Sequence, residues 1–453
     1  MTKASSVEND IILYGSLNQG ILKLAVPSMI SMVSIMLFEI IDLFWIGRLG
    51  APAVAALGAS SFVVWTVKAL ANCTSAGINA LVARVAGSQN RRAVQMWASQ
   101  GFILTGVFAL GIMLAFYLLN LFIFSWLGLE PEVALMAQRY TFIMVLSIFF
   151  VYETFALDTI FRSMGNTFIP MVIIVTCLTL NAILDPFFIF GWLGFPKMGM
   201  PGGALASLIS HLLGMFLLLS QLSRIKITLK WKFERFARHA VEIFRIGIPI
   251  GLLEAVFSTI YIVLSKNIAY FGTVPMAAIS AAHRLEGLPF FISFGFSVAV
   301  ATFVGQNLGN GNPRRAEKAV NLALSYAVIF LFLISIAFIL WGRRILGLFI
   351  VEQSVIEVGY QYLLVISIFE IFLAPEVILQ GAFTGAGDTR PPFFISISFT
   401  FLRIPFAYLF SIVLGYGVLA IWWVIGISTF LKGVGLFLWF RRGQWKLKQV
   451  ALV

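Results

Sequence analysis

Twelve apolar runs, each bounded by Gly, Pro or clustered charge, take up most of this chain. They fall at about 22–46, 54–80, 95–123, 134–162, 168–191, 200–222, 244–270, 275–303, 316–341, 355–384, 390–413 and 416–440. About 20 helical residues cross the hydrocarbon core of a bilayer, so every run is long enough to span. Composition agrees: of 453 residues, 60% are apolar or aromatic and 11% are charged, against about a quarter charged in soluble proteins. The expected fold is an all-α integral membrane protein. Twelve spans leave no room for a water-exposed catalytic domain, so no enzyme is expected. Cys73 and Cys177 lie in separate runs, which implies neither a disulfide framework nor a cysteine metal site. The stretch Met1 to Gly20 lacks the features of a signal peptide, so the first span is expected to be retained.

The net charge of +12 is a topological label. With both termini cytoplasmic, 21 of the 31 Lys and Arg fall in inner segments, Lys3 and Lys23 among them. The positive-inside rule then predicts a multi-pass cytoplasmic (inner) membrane protein with N and C termini inside. The basic run Arg224 to Arg238 is interleaved with Ile225, Ile227, Leu229, Trp231 and Phe233, and it also contains Lys226, Lys230 and Lys232. It reads as a connection lying on anionic lipid headgroups, with no nucleic-acid partner expected.

The chain also repeats itself. Leu22-Lys23-Leu24-Ala25-Val26-Pro27 resembles Phe244-Arg245-Ile246-Gly247-Ile248-Pro249, an offset of 249 − 27 = 222. The same offset links Gly50 to Gly272, Gly87 to Gly309, Gly165 to Gly387, Thr167 to Thr389 and Pro170 to Pro392. After Gly87 and Gly309 the same basic turn follows, with one Pro inserted in the second copy. The expected domains are a six-helix bundle over 1–222, a basic linker over 223–243 and a second bundle over 244–453. Six is even, so the copies enter the membrane from one side as a parallel repeat about the membrane normal. Duplicated bundles with Pro and Gly inside their spans suit alternating access better than a lipid-organising scaffold.

Several motifs then identify a family. They are Leu24-Ala25-Val26-Pro27, Ile41-Asp42-Leu43-Phe44-Trp45-Ile46-Gly47-Arg48-Leu49-Gly50, Leu180-Asn181-Ala182-Ile183-Leu184-Asp185-Pro186, Val304-Gly305-Gln306-Asn307-Leu308-Gly309, and Gln380-Gly381-Ala382 followed by Gly385-Ala386-Gly387-Asp388-Thr389. In order and spacing the chain resembles multidrug and toxic compound extrusion (MATE) transporters over nearly its whole length. Asp42 with Asn181 and Asp185 looks like the prokaryotic DinF-like branch. The resemblance implies export of amphipathic, often cationic drugs or toxins in exchange for H⁺ or Na⁺, by a monomer among membrane lipids, with no cofactor beyond the coupling ion. It also matches Asp42, Asn181 and Asp185 to a cation site in the first half, and Ser207 to a hydroxyl position there. Seven residues before Arg162, where related sequences can carry an Asn of that site, this chain has Phe155, with Thr154 and Asp158 nearby.

The residues themselves point the same way. A carboxylate inside a membrane is costly unless it meets a polar cavity or a partner, so each is a functional candidate. Asp42 and Asp185 both fall in the outer part of the first half, and Asn181 shares a helix face with Asp185. Such a cluster can exchange a proton, and its hard oxygens suit Na⁺ equally. Glu39, one turn before Asp42, is either a relay or a cavity-lining group. Asp158 and Arg162 are spaced as an i,i+4 ion pair. In the second half, Glu254 lies close to mid-membrane. His283 and Glu376 are further candidates, and Arg284, Glu286 and Arg403 read as structural pairing groups. Pro27 and Pro186 free carbonyls locally. Gly305, Gly309 and Gly311 follow a membrane helix and lack the Gly-Lys-Ser/Thr ending of a phosphate loop. Asn72-Cys73-Thr74 is a glycosylation sequon inside a span. A lipid-linked precursor flippase of similar architecture is the alternative function, and it would require cations along the cavity.

Overall fold

A computed structural model of the chain describes residues 11–126, 130–230 and 235–450. Lys3, Trp231, Lys232 and Phe233 lie outside them. The described residues form twelve helices long and apolar enough to cross a membrane. In chain order these are α1 Leu17–Gly47, α2 Ala51–Gly87, α3 Arg91–Asn120, α4 Pro131–Ser163, α5 Phe168–Phe190, α6 Met200–Ile225, α7 Phe236–Ala269, α8 Thr273–Gly309, α9 Pro313–Gly347, α10 Gln353–Ala386, α11 Arg390–Val413 and α12 Val418–Arg441. Each corresponds to one expected run, and several extend beyond it because a helix carries its polar end turns out to the interface. Thus α2 continues to Gly87, and α7 begins at Phe236, inside the segment expected to be linker. Within α10, a tighter 3-10 turn over Glu370–Phe372 interrupts the α-helix.

Repeat-related residues build equivalent local structure. Asn90 caps α3 by accepting from Ala93 N at 3.1 Å, and Asn312, 222 residues on, caps α9 by accepting from Arg315 N at 3.1 Å. Pro313, the inserted residue, opens α9. A proline there removes no intrahelical hydrogen bond, because the first-turn N–H is unpaired in any helix. Pro27 and Pro249 lie inside α1 and α7 and cannot donate to the preceding turn. Thr167 Oγ1 donates to Lys23 O at 3.3 Å, and its repeat mate Thr389 donates to Ile246 O at 2.7 Å. Threonine hydroxyls thus satisfy carbonyls in the turn that each proline loosens.

The helices α1–α6 and α7–α12 form the two lobes of a twelve-helix, two-bundle architecture. The end at which α1 starts and α12 finishes is called inner here, following the charge-based orientation. The lobes meet through α1, α2, α7 and α8, and glycines set the closeness. A Cβ at Gly87 would lie 1.9 Å from Gln306 O, and one at Gly309 would lie 1.9 Å from Arg84 O. Gly87 and Arg84 map onto Gly309 and Gln306 by the offset of 222, so the two crossings are mates about a pseudo-two-fold axis. The same holds for Gly251 against Cys73 and Gly295 against Met29. Thr302 Oγ1 donates to Arg162 O at 3.0 Å, and Gln306 Nε2 donates to Ser163 O at 2.8 Å. All these contacts lie between mid-membrane and the inner end. The Arg84 guanidinium is buried and donates to Lys448 O, so this charge is part of the seam and not of an open loop.

Candidate functional site

In the outer half of the first lobe, α1, α5 and α6 bring Asp42, Asn181, Asp185 and Ser207 into one buried cluster. Asp42 stands 25 residues from the start of α1, roughly 38 Å along it. Ser207 stands seven residues into α6, which begins at the outer end. Asn181 Nδ2 donates to Ser207 Oγ at 3.4 Å and approaches Asp185 Oδ1 at 3.5 Å. The Asp42 and Asp185 carboxyls lie close enough for each to act electrostatically on the other. Two carboxylates hold that arrangement only with a proton or a cation between them. Asp42 Oδ1, Asn181 Oδ1 and Asp185 Oδ2 are buried and make no hydrogen bond among the described residues. Three hard oxygens without partners fit H⁺ or Na⁺.

Around this cluster, Glu39 turns towards α2. It accepts from Trp65 Nε1 at 2.9 Å and pairs with Lys68 at 3.7 Å. Tyr140 on α4 is buried within electrostatic range of Asp42 and Asp185. His211, one turn after Ser207, stacks on Phe38 with ring centroids 5.7 Å apart. Phe155 packs with Val67, Ala71 and Val151 in an apolar cluster between α2 and α4. Thr154 lies against Gly214 of α6, its hydroxyl unpartnered. Asp158 pairs with Arg162 at 2.8 Å near the inner end of α4, well away from the outer cluster.

The second-lobe residues stand apart from it. Glu254 lies at the seam, about halfway along α7, and accepts from Asn72 Nδ2 of α2 at 2.6 Å. His283 packs against Tyr261 with the rings tilted and their centroids 5.0 Å apart. The charged residues pair differently from expectation. The partner of Glu376 is Lys432, at 2.5 Å, while Glu286 accepts from the Tyr362 hydroxyl and Arg284 is exposed. Arg403 is buried among hydroxyls, donating to Ser428 Oγ at 2.5 Å, Thr429 Oγ1 at 3.2 Å and Tyr261 Oη at 3.3 Å.

Sequence reading missed Glu153, Glu370, Asn72 and the partnership of Lys432. Glu153 and Glu370 are 2% and 1% exposed, and each has buried carboxylate oxygen without a partner. The rule that every intramembrane carboxylate is a candidate would have found both. The sequon Asn72-Cys73-Thr74 is helical, and Cys73 and Thr74 are buried; Asn72 serves as the donor to Glu254.

A profile of the MatE family matches residues 27–187 and again 249–409. The two matches are displaced by 249 − 27 = 222, the offset of the internal repeat. The chain belongs to the MATE family. Among curated MATE relatives, a probable multidrug resistance protein NorM of Thermotoga maritima is 28% identical over 448 residues, covering 96% of this chain and 94% of its own length. An FAD transporter of Shewanella oneidensis is 25% identical over 78% of this chain and 79% of its own length. The fold matches that of MATE in the straight conformation, with a TM-score of 0.89 and 23% identity over 99% of this chain and 100% of that one. It also matches the outward-facing conformation of a multidrug resistance MATE family transporter, with a TM-score of 0.88 and 22% identity over the same shares. This MATE chain is therefore a multi-pass membrane transporter.

Proposed function

We propose that this protein is a secondary antiporter. It exports amphipathic, often cationic organic compounds in exchange for H⁺ or Na⁺ by alternating access. The observation that carries the reading is the facing pair Asp42 and Asp185, with Asn181 and Ser207 beside it and three oxygens left without partners. A carboxylate pair that holds either the coupling ion or a cationic substrate links an inward ion gradient to outward drug movement, because loading by one disfavours the other. The relatives named as multidrug resistance proteins support the substrate class. We read Asp42 with Asn181 and Asp185 as the DinF-like pattern. The protein works as a monomer of two lobes joined by the connection between Ile225 and Phe236, in the inner membrane with both termini cytoplasmic. The seam closed at the inner end then corresponds to an outward-facing state.

The deciding experiment is drug efflux from proteoliposomes under an imposed pH gradient and, separately, an imposed Na⁺ gradient. Efflux driven by one and not the other names the ion, and efflux indifferent to both sinks the antiport reading.

One observation favours a second reading, export of an anionic amphiphile such as a lipid-linked precursor. Arg403 has hydroxyl partners and, among the described residues, no carboxylate partner. It is 2% exposed, however, and Lys432 and Lys68 are matched by Glu376 and Glu39. Specific binding of a polyprenyl phosphate without drug transport would reverse the ranking.

A further inference from the structure

On the inner side of the first lobe, α3, α4, α6 and the chain leaving α6 line an open groove of about 600 Å³. Its walls are mostly apolar, among them Phe102, Phe149, Met215, Leu219, Ile227 and Leu229, with Ser220, Ser223 and Thr228 at the edge. The segment from Ser223 to Lys230 forms one rim. Lys230 N donates to Ser99 Oγ at 3.0 Å, holding the segment down on α3.

Side chains alternate along this rim. Ile225 and Ile227 are buried, whereas Arg224, Lys226 and Lys230 are exposed. None of the three cations makes an ion pair among the described residues, and no carboxylate occurs between Ser220 and Lys230. A largely apolar groove beside a segment that carries three exposed cations, at the level where a bilayer changes from hydrocarbon to headgroup, matches one ligand chemistry. That chemistry is an alkyl chain ending in a phosphate.

We propose that this groove is a binding site for an anionic phospholipid. One acyl chain lies among Phe102, Phe149, Met215 and Leu219, and the phosphate meets Arg224, Lys226 and Lys230. The site is separate from the Asp42 and Asp185 cluster, which lies at the outer end of the same lobe. The occupied groove would brace the connection between the lobes against α3.

The test uses the full chain, stripped of lipid and examined by native mass spectrometry with phosphatidylglycerol and phosphatidylcholine of identical acyl chains. Phosphatidylglycerol is expected to be retained roughly tenfold more strongly or better. The triple variant Arg224→Ala, Lys226→Ala, Lys230→Ala should lose that preference. Thr228→Trp, at an exposed rim position, should lower retention of both lipids by obstructing the groove. Equal retention of the two lipids by the unaltered protein would overturn the proposal. So would a preference that survives the triple variant, a Thr228→Trp variant that binds normally, or occupation of the groove by ethidium in competition with the lipid.

Discussion

Asn72 on α2 donates its side-chain amide to Glu254 on α7 over 2.6 Å, joining the two lobes about halfway across the membrane. Below this bond the seam is backbone against backbone, with Gly247 and Gly251 packed on Cys73. A hydrogen bond to a charged group contributes about 1.5–3 kcal/mol. Asn72→Leu is therefore expected to shift the lobe equilibrium about tenfold to a hundredfold towards separated inner halves. Spin labels at Ser88→Cys and Asn310→Cys, with Cys73 and Cys177 replaced by Ala, report the distance across the inner end. An unchanged distance distribution would show that the bond does not hold the seam.

Within the outer cluster, Asp42 and Asp185 are expected to behave alike and Glu39 differently. Asp42→Asn or Asp185→Asn removes one of the two groups that must share a proton or a cation, so gradient-driven ethidium efflux should fall to the rate seen without a gradient. Glu39 is already occupied by Trp65 and Lys68, and Glu39→Gln should keep most of the coupled rate. Wild-type efflux in both Asp variants, measured in everted vesicles, would remove the cluster from the mechanism.

In the second lobe, Lys432 and Glu376 form an ion pair whose lysine is 1% exposed. Removing one partner of a buried pair leaves an uncompensated charge, at a cost of about 3–5 kcal/mol. Lys432→Met should therefore lower the thermal unfolding temperature in detergent markedly, while Lys432→Met with Glu376→Leu should recover most of it. If the single variant is as stable as the parent, the pair carries no structural weight.

Most of the architecture was legible in the sequence because bilayer physics leaves few options. A long apolar run with scarce charge has to be a spanning helix, and the offset of 222 carried the two-lobe arrangement. The cluster of Asp42, Asn181 and Asp185 was legible for a similar reason, since an i,i+4 spacing and depth along a helix are properties of sequence. Partnerships between distant helices were not. Nothing in the local pattern of Glu376 distinguishes Lys432 from Arg403 as its partner, because the choice depends on how α10, α11 and α12 rotate against one another. Asn72 lay hidden for the same reason: its partner is 182 residues away.

The reciprocal glycine crossings yield a prediction that tests the pseudo-symmetry itself. Gly87 and Gly309 each sit 1.9 Å, at the Cβ position, from a carbonyl oxygen of the opposite lobe. A methyl group at either site must force α2 and α8 apart at the inner end, and such overpacking costs about 1–3 kcal/mol. Within one helix, Gly→Ala alone would instead stabilise by up to about 1 kcal/mol. Gly58 supplies the control, because it lies in α2 with nothing within 4 Å of its Cβ position. Gly87→Ala and Gly309→Ala should therefore shift the inner-end distance by similar amounts, while Gly58→Ala leaves it unchanged. A large difference between Gly87→Ala and Gly309→Ala would mean that one crossing holds the closed seam alone, and that the duplicated sequence no longer divides the task between its halves.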